Sequence, residues 1–387
     1  MQSQINIYVE SYTSKKSGDI VEYTIDFDTV ENAENFFQLF FPDFKYNPNK
    51  FYNLRTPNSG RHRMFSGSWY SLPTSIFEQV EYEPIDEEAE GSGGYAGVIK
   101  VKNRISNFTD YLAVFKNEEY DVYEDIDIDF STKLQTLTVV DCGQGNWNEI
   151  HAEKELLIYD MGASSRYTSA QIKNLVDSRF STFKEKTIGI VISHWDMDHF
   201  QALRYLDSKQ LSQISTICGP SNIPTSNVYT STIEHLISNN VQYKLIAPTT
   251  KRNGRAINLN QLSTSKKVDV YRSVNGSSRN QTGIVLAIKG NLKVVLLTGD
   301  HHYEKIFSVI DQKYTNRDII LVIPHHGGNA GRLSISNWQG EFNTIECAIS
   351  YGLNSYNHPN QNIGNIIALQ SAYPETTSDY GDLVFNI

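Results

Sequence analysis

From residue 134 onwards the chain repeats one pattern: short apolar runs, largely β-branched, that stop at polar, glycine-containing turns. Leu134–Val140, Leu156–Tyr159, Thr187–Ile192, Ile284–Ile288, Val294–Thr298, Ile319–Ile323 and Cys347–Ser350 each predict a strand. Helical patterns lie between some of them, at Ser169–Asp177 and Tyr303–Ile310. This order predicts two sheets of short strands packed face to face, with helices outside. The first third has a different texture. Ile5–Val9 and Ile20–Ile25 alternate like half-buried strands, and Thr29–Phe40 predicts a helix with a Thr or Asp cap. Glu81–Gly94, acidic and then glycine-rich, predicts an exposed loop, and the acidic run Glu118–Asp129 a solvated face or linker. The expected organisation is an N-terminal α+β module over residues 1–132, of unknown role, and a larger domain over 133–387.

Composition sharpens this picture. The 387 residues suit two domains, and 23 Tyr with 18 Phe predict an aromatic-rich core. The formal net charge of -10 excludes a protein held to nucleic acid by a broad basic surface. Attraction to a phosphodiester must then be local, from bound cations and a few basic side chains. Cys142, Cys218 and Cys347 are widely spaced and odd in number, so no disulfide framework is implied. Met1-Gln-Ser-Gln opens no basic-then-apolar leader, and no run approaches ~18 apolar residues, so a cytoplasmic chain without membrane contact is expected.

The chemistry sits where the strands stop. Val191-Ile192 runs into Ser193-His194-Trp195-Asp196-Met197-Asp198-His199. Val295–Thr298 runs into Gly299-Asp300-His301-His302, and Leu321–Ile323 into Pro324-His325-His326-Gly327. Strand ends at one sheet edge converge, and rigid strands hold ligands to the tolerance a dication demands. Imidazole mixed with carboxylate over residues 194–199 suits Zn, Mn or Fe better than Ca or Mg. An acidic loop with a helix-capping Asp198 and incidental histidines would explain that segment by itself. It would not explain Asp300 and His325-His326 at later strand ends.

These residues resemble the metal-binding signature of the metallo-β-lactamase superfamily, His-x-His-x-Asp-His, with Asp196 in the second position as in ComEC-type DNA-uptake proteins. Other blocks follow in order: Val139-Val-Asp-Cys-Gly-Gln-Gly-Asn146, Leu157–Gly162 ending in Asp160-Met-Gly, Asn280–Leu286, Leu297–Asp300, Pro324–Gly327 and Gly352–Pro359. The resemblance spans residues 134–387 and implies an αββα metallo-β-lactamase fold, two β-sheets sandwiched between helices, within an α+β chain. It implies two divalent metal ions, Zn or Mn. His194 and Asp196 would serve one, Asp198, His199 and His325 the other, and Asp300 would bridge. Asp160 would orient ligands from behind, and His326 and His358 would touch the scissile group or protonate the leaving oxygen. The implied reaction is attack by a metal-bound hydroxide on phosphorus or a carbonyl carbon.

The sequence departs from that pattern at several points. Val268–Ser273 lacks the further His that relatives place there, which weakens the first metal position and leaves His301 or His302 as substitutes. Leu353 stands where relatives commonly have a Lys, and Asn146 replaces an acid. The leading expectation is a phosphodiesterase or nuclease acting on nucleic acid. The rivals are a hydrolase of a small phosphodiester or nucleotide signal, and a non-catalytic scaffold or effector subunit that kept the fold. A protein partner for the N-terminal module and a role in antiviral defence are further expectations. Cys218 and Trp195 read as packing residues. Lys251–Arg255, Lys266-Lys267 and Arg61–Arg63 read as solvated basic stretches.

Overall fold

The computed structural model describes residues 4–14, 18–60, 63–110, 122–124, 126–250, 256–354, 357–359 and 362–387. The basic stretch 251–255, residues 61–62, and residues 118–121 and 125 of the acidic run lie outside the described residues. Two compact units are formed. One comprises Met1–Glu119, Arg166–Gln171 and Ile223–Leu236, the other Tyr120–Ser165, Ile172–Asn222 and Ile237–Ile387.

The first unit is a seven-stranded sheet with the helix Val30–Phe40 and most of the helix Asn227–Ser238. In order across the sheet its strands are Val80–Pro84, Tyr95–Val101, Phe51–Pro57, Ile20–Phe27, Gln4–Ser14, Ser68–Pro73 and Thr109–Asp110. Thr29 caps the helix Val30–Phe40, its hydroxyl accepting from Asn32 N at 3.1 Å, so the expected cap is the hydroxyl and not Asp28. Phe36 and Phe37 carry the helix onto the sheet, with ring centroids 5.5 Å and 6.1 Å from Phe27. The aromatic surplus is largely spent here, in a core that includes Phe27, Phe36, Phe37, Phe41, Tyr52 and Phe77. Glu81–Pro84, expected as loop, belongs instead to the edge strand Val80–Pro84. Its glutamates alternate to the exposed side, and only residues 85–94 form the irregular connection.

The second unit is built on two sheets. The eight-stranded sheet runs Leu383–Asn386, Leu134–Val139, Trp147–Ala152, Glu155–Met161, Thr187–Val191, Ile214–Pro220, Gln242–Ile246, Val122–Tyr123. The seven-stranded sheet runs Leu259–Thr264, Val268–Ser273, Ile284–Lys289, Lys293–Leu297, Asp318–Val322, Thr344–Ile349, Glu375–Thr376. One continuous core joins their inner faces: Leu137, Ile150, Leu157, Tyr159 and Val191 from the first meet Val270, Leu286, Val295, Leu297 and Ile320 from the second. Each such side chain, fully removed from water, contributes about 1.5–3 kcal/mol. The opposite parity is buried as well. Leu156, Ile158, Ile188 and Ile190 are covered on the first sheet. On the second, Val294, Leu296, Ile319 and Leu321 pack with residues of the helices Tyr303–Ile310, Ile335–Glu341 and Ile363–Gln370. Strands buried on both faces read as continuous apolar runs, which is why they were visible in the sequence. Two sheets stacked face to face with helices packed outside give an αββα layering.

Topology then places the chemistry. Glu155–Met161 pairs in parallel with Thr187–Val191, and Lys293–Leu297 with Asp318–Val322 and Thr344–Ile349. Parallel strands end at the same edge, so Asp160, residues 193–199, Asp300, His325-His326 and Ser350 all leave the sheets at their carboxyl ends.

Candidate metal centre

Asp160 anchors the centre. It is fully buried at the end of its strand with φ +59°, a backbone region sparsely populated by residues other than glycine. Four groups hold it there. Its Oδ1 accepts from Ser193 N at 2.6 Å, and its Oδ2 accepts from Asn146 Nδ2 at 2.7 Å and Ser193 Oγ at 2.8 Å. The same Oδ2 lies 2.8 Å from His199 Nδ1. Behind it, Gly162 N donates to Asn146 O at 2.8 Å, and Asn146 N to Asp198 O at 2.9 Å. The approach is so close that a Cβ on Gly162 would fall 1.7 Å from Asp198 O. The opening block 143–146 therefore clamps the metal-signature turn onto the first sheet.

The turn itself is a short helix, Met197–Phe200, with Asp196 at its N-cap. Asp196 makes no side-chain cap bond, so capping does not account for this carboxylate. Trp195 packs the wall, its indole Nε1 donating to Pro220 O at 2.8 Å. The second sheet closes from the other side. Gly299, at φ +52°, brings backbone against Ser193, whose Oγ would sit 2.8 Å from any Cβ there. Asp300 follows, receiving Asn280 Nδ2 on Oδ2 at 2.9 Å. His325 and His326 both adopt left-handed conformations, φ +54° and +53°. His325 N donates to Gly299 O at 3.1 Å within the second sheet, and Ser350 Oγ donates to Gly145 O at 2.7 Å, tying it to the first. Three buried or half-buried non-glycine residues in this backbone region, all at one site, mark a geometry held by its surroundings.

Hydrogen bonding fixes how each imidazole presents itself. A carboxylate only accepts, so His199 Nδ1 carries the proton towards Asp160, and Ser193 Oγ–H also donates to Asp160. Ser193 Oγ is then left to accept from His194 Nδ1 at 2.9 Å. His326 Nδ1 donates to Ser350 O at 2.7 Å. All three histidines thus direct Nε2 inward, and none of these three buried Nε2 atoms has a hydrogen-bond partner. Asp300 Oδ1 is likewise buried and unpartnered. Buried polar atoms are almost always satisfied, so these unsatisfied ones, with Asp196 Oδ1 beside them, call for a ligand.

The spacing suits a cation. His199 Nε2 lies 3.2 Å from Asp300 Oδ1 and 3.9 Å from Asp198 Oδ1. His326 Nε2 lies 3.4 Å from Asp198 Oδ2, and His325 Nε2 3.6 Å from Asp300 Oδ2. His194 Nε2 lies 3.6 Å from Asp196 Oδ2 and 3.8 Å from Asp300 Oδ2. Tetrahedral ligands with bonds of about 2 Å stand roughly 3.3 Å apart. Among the described residues two donor groups emerge, His194–His199–Asp300 and Asp198–His199–His326. Electrostatics agree. Burial alone would raise the Asp300 carboxyl, but His325, His199 and His194 outweigh it and hold it well below the usual range. Burial opposes charge on His199 too, yet Asp160, Asp300 and Asp198 raise it well above an ordinary histidine. The cluster is a preformed field of negative charge that favours a positive occupant.

The predicted residues distribute unevenly over this centre. His194, Asp198, His199 and Asp300 fall in the donor groups, and Asp160 lies directly behind. His326, expected only near the scissile group, joins a donor group, while His325 approaches Asp300 from a more exposed position. Asp196 belongs to neither group; its Oδ1 is buried without a hydrogen-bond partner and forms an ion pair with Arg279 Nε at 2.9 Å. His358 stands beside them, its ring 4.9 Å from His325 and 6.4 Å from His326. Burial and those two histidines push it down to about 4. Among the described residues, neither His301 nor His302 enters a donor group. His301 Nδ1 accepts from His302 N at 3.0 Å, and His302 faces Glu304. Cys218 is a buried thiol pushed up to about 12 by burial, as a packing residue should be. Sequence reasoning missed Ser193, Ser350 and Arg279. Ser193 opens the cluster 193–199 and Asn280 opens the block Asn280–Leu286, but neither was given a role.

The solved structures to which the chain is similar include three at low identity. The short form of human tRNase Z is 13% identical over 65% of this chain and 98% of that one, at a TM-score of 0.36. The metallo-β-lactamase fold protein YhfI of Bacillus subtilis is 12% identical over 66% of this chain and 100% of its own, also at 0.36. A metallo-β-lactamase of Hirschia baltica is 12% identical over 44% of this chain and 69% of its own, at 0.25. No family model and no curated protein matches the sequence. No helix of the described residues is long and apolar enough to cross a membrane.

Proposed function

We propose that this chain is a metal-dependent hydrolase that cleaves phosphodiester bonds in the manner of a nuclease. One observation carries the reading: Nε2 of His194, His199 and His326 and Oδ1 of Asp300 are buried without a hydrogen-bond partner and lie in two donor groups that share His199. Asp198, His199 and His326, which form one donor group, are the residues suited to hold a divalent ion of the zinc or manganese type. Such an ion would ionise a bound water near neutral pH and neutralise charge developing on substrate oxygens. The chain's own groups do the positioning. Asp160, Ser193 and Ser350 fix the tautomers and ring orientations of the ligating histidines. His358, beside His325 and His326, stands where a proton would pass to or from the scissile group. The test is turnover of DNA, RNA and a model phosphodiester by protein loaded with Zn or Mn. Cleavage of any of them that is lost in Asp198→Ala supports the proposal. Inactivity on all three with metal bound counts against it.

A second reading, hydrolysis of a small phosphodiester or nucleotide signal, is favoured by Leu353. This residue is 79% exposed in the loop that leads to His358, where a lysine would offer a phosphate contact to a longer substrate. The net charge of -10 also disfavours a polyanion. Activity on small substrates with none on polymers decides for it.

A further inference from the structure

Arg279 opens a question that the donor geometry alone does not raise. It precedes Asn280, which holds Asp300, and its guanidinium is only 14% exposed. Its Nε lies 2.9 Å from Asp196 Oδ1, and Nη1 reaches Trp195 O at 3.4 Å. A planar guanidinium carries a permanent positive charge, so it neutralises a carboxylate that a second metal would otherwise claim.

Two further observations point the same way. The donor groups His194–His199–Asp300 and Asp198–His199–His326 share His199, whose Nδ1 is committed to Asp160. Only one lone pair, on Nε2, remains for both groups, and one lone pair binds one ion. Then, in the strand Val268–Ser273, which has no histidine, Arg272 is completely buried. Its hydrogen bonds go only to uncharged acceptors: Ser273 Oγ at 2.9 Å, Asn222 Oδ1 at 3.1 Å and Gly283 O at 3.5 Å. Gly283 in turn lies against Ser193 and His194, its Cβ position 3.0 Å from Ser193 O. Arg272 thus adds a buried charge behind Gly283, while the charge that meets Asp196 itself is that of Arg279, and like charge repels a dication.

Building on the hydrolase reading, we propose that the centre holds a single divalent ion, at Asp198, His199 and His326, and that the Arg279 guanidinium takes the place of a second ion at Asp196. Asp196 is then a positioning residue for Arg279 and not a metal ligand. Arg279 supplies the second positive charge over the site, fixed by the chain and independent of metal supply.

Metal stoichiometry tests this without recourse to activity. Full-length protein is equilibrated with Zn or Mn, desalted and analysed for metal per chain, with circular dichroism confirming that each variant is folded. Wild type should hold one equivalent, Asp196→Asn should still hold one, and Asp198→Asn should lose it. Arg279→His, which exchanges the guanidinium for a neutral ligand, should rise to two equivalents. Two equivalents in wild type, loss of the ion in Asp196→Asn, or a single equivalent in Arg279→His would each overturn the assignment. A wild-type protein that binds no metal would overturn it together with the hydrolase reading, whereas two equivalents would overturn it alone.

Discussion

The Asp160 carboxylate meets His199 Nδ1 at 2.8 Å with both side chains fully buried, and this contact sets the direction of the imidazole at the heart of the centre. Asp160 also receives Ser193, which passes the same ordering on to His194. Asp160→Asn tolerates the left-handed backbone at φ +59° but can no longer accept on every side. Metal affinity is expected to fall by roughly 10–100-fold, with no ligand removed, as measured by chelator competition. Unchanged affinity would show that the contact is purely structural.

The tandem histidines should separate cleanly. His326→Ala removes a donor that lies 3.4 Å from Asp198 and is expected to release the ion, as Asp198→Ala does. His325→Ala, whose residue is outside both donor groups, is expected to keep the ion. Isothermal titration of the two variants with Zn or Mn distinguishes them, and the reverse order would exchange their roles.

The close approach at Gly162 is expected to tolerate no side chain. A Cβ there would lie 1.7 Å from Asp198 O and 2.6 Å from its carbonyl carbon, both backbone atoms. Gly162→Ala must displace the turn that carries Asp198 and His199, at a cost of about 3 kcal/mol. Urea denaturation should show the lower midpoint, and metal affinity should fall with it. A midpoint within experimental error of wild type would contradict the described packing.

Asp26, in the first unit, gives that unit a pH dependence of defined sign. Burial raises it to about 6, against hydrogen bonds from Ser226, Val228, Phe27 and Tyr46 that lower it. A carboxyl raised in the folded state binds its proton more tightly there than in the unfolded chain. The destabilisation is therefore absent below pH about 4, grows as pH rises to about 6, and stays constant above. At about 1.4 kcal/mol per pH unit it amounts to about 3 kcal/mol. Urea midpoints from pH 4 to 7 should fall more steeply for wild type than for Asp26→Asn. Parallel curves would refute the shift.

Much of the fold and part of the centre were legible in the sequence, for reasons the structure makes plain. Strands such as Ile284–Lys289 and Lys293–Leu297 are buried on both faces, so their apolar runs are unbroken and mark their own ends. Those ends carry His194, Asp198, His199 and Asp300 because parallel pairing aligns them at one edge. What escaped depends on backbone conformation or on partners distant in the chain. Composition cannot choose between adjacent His325 and His326; left-handed φ at both decides which faces Asp198. Asp196 and Arg279 are 83 positions apart, so no local pattern announces that the carboxylate is already taken. The edge strand Val80–Pro84 was hidden by its outward glutamates, which share the composition of a loop.

The central claim is that one buried point between the strand ends holds a divalent ion. Anomalous scattering from crystals equilibrated with Zn or Mn, recorded at the metal edge, tests it most directly. The account predicts a peak about 2 Å from Nε2 of His199 and of His326 and from a carboxylate oxygen of Asp198. A map with no peak among these three residues would contradict it.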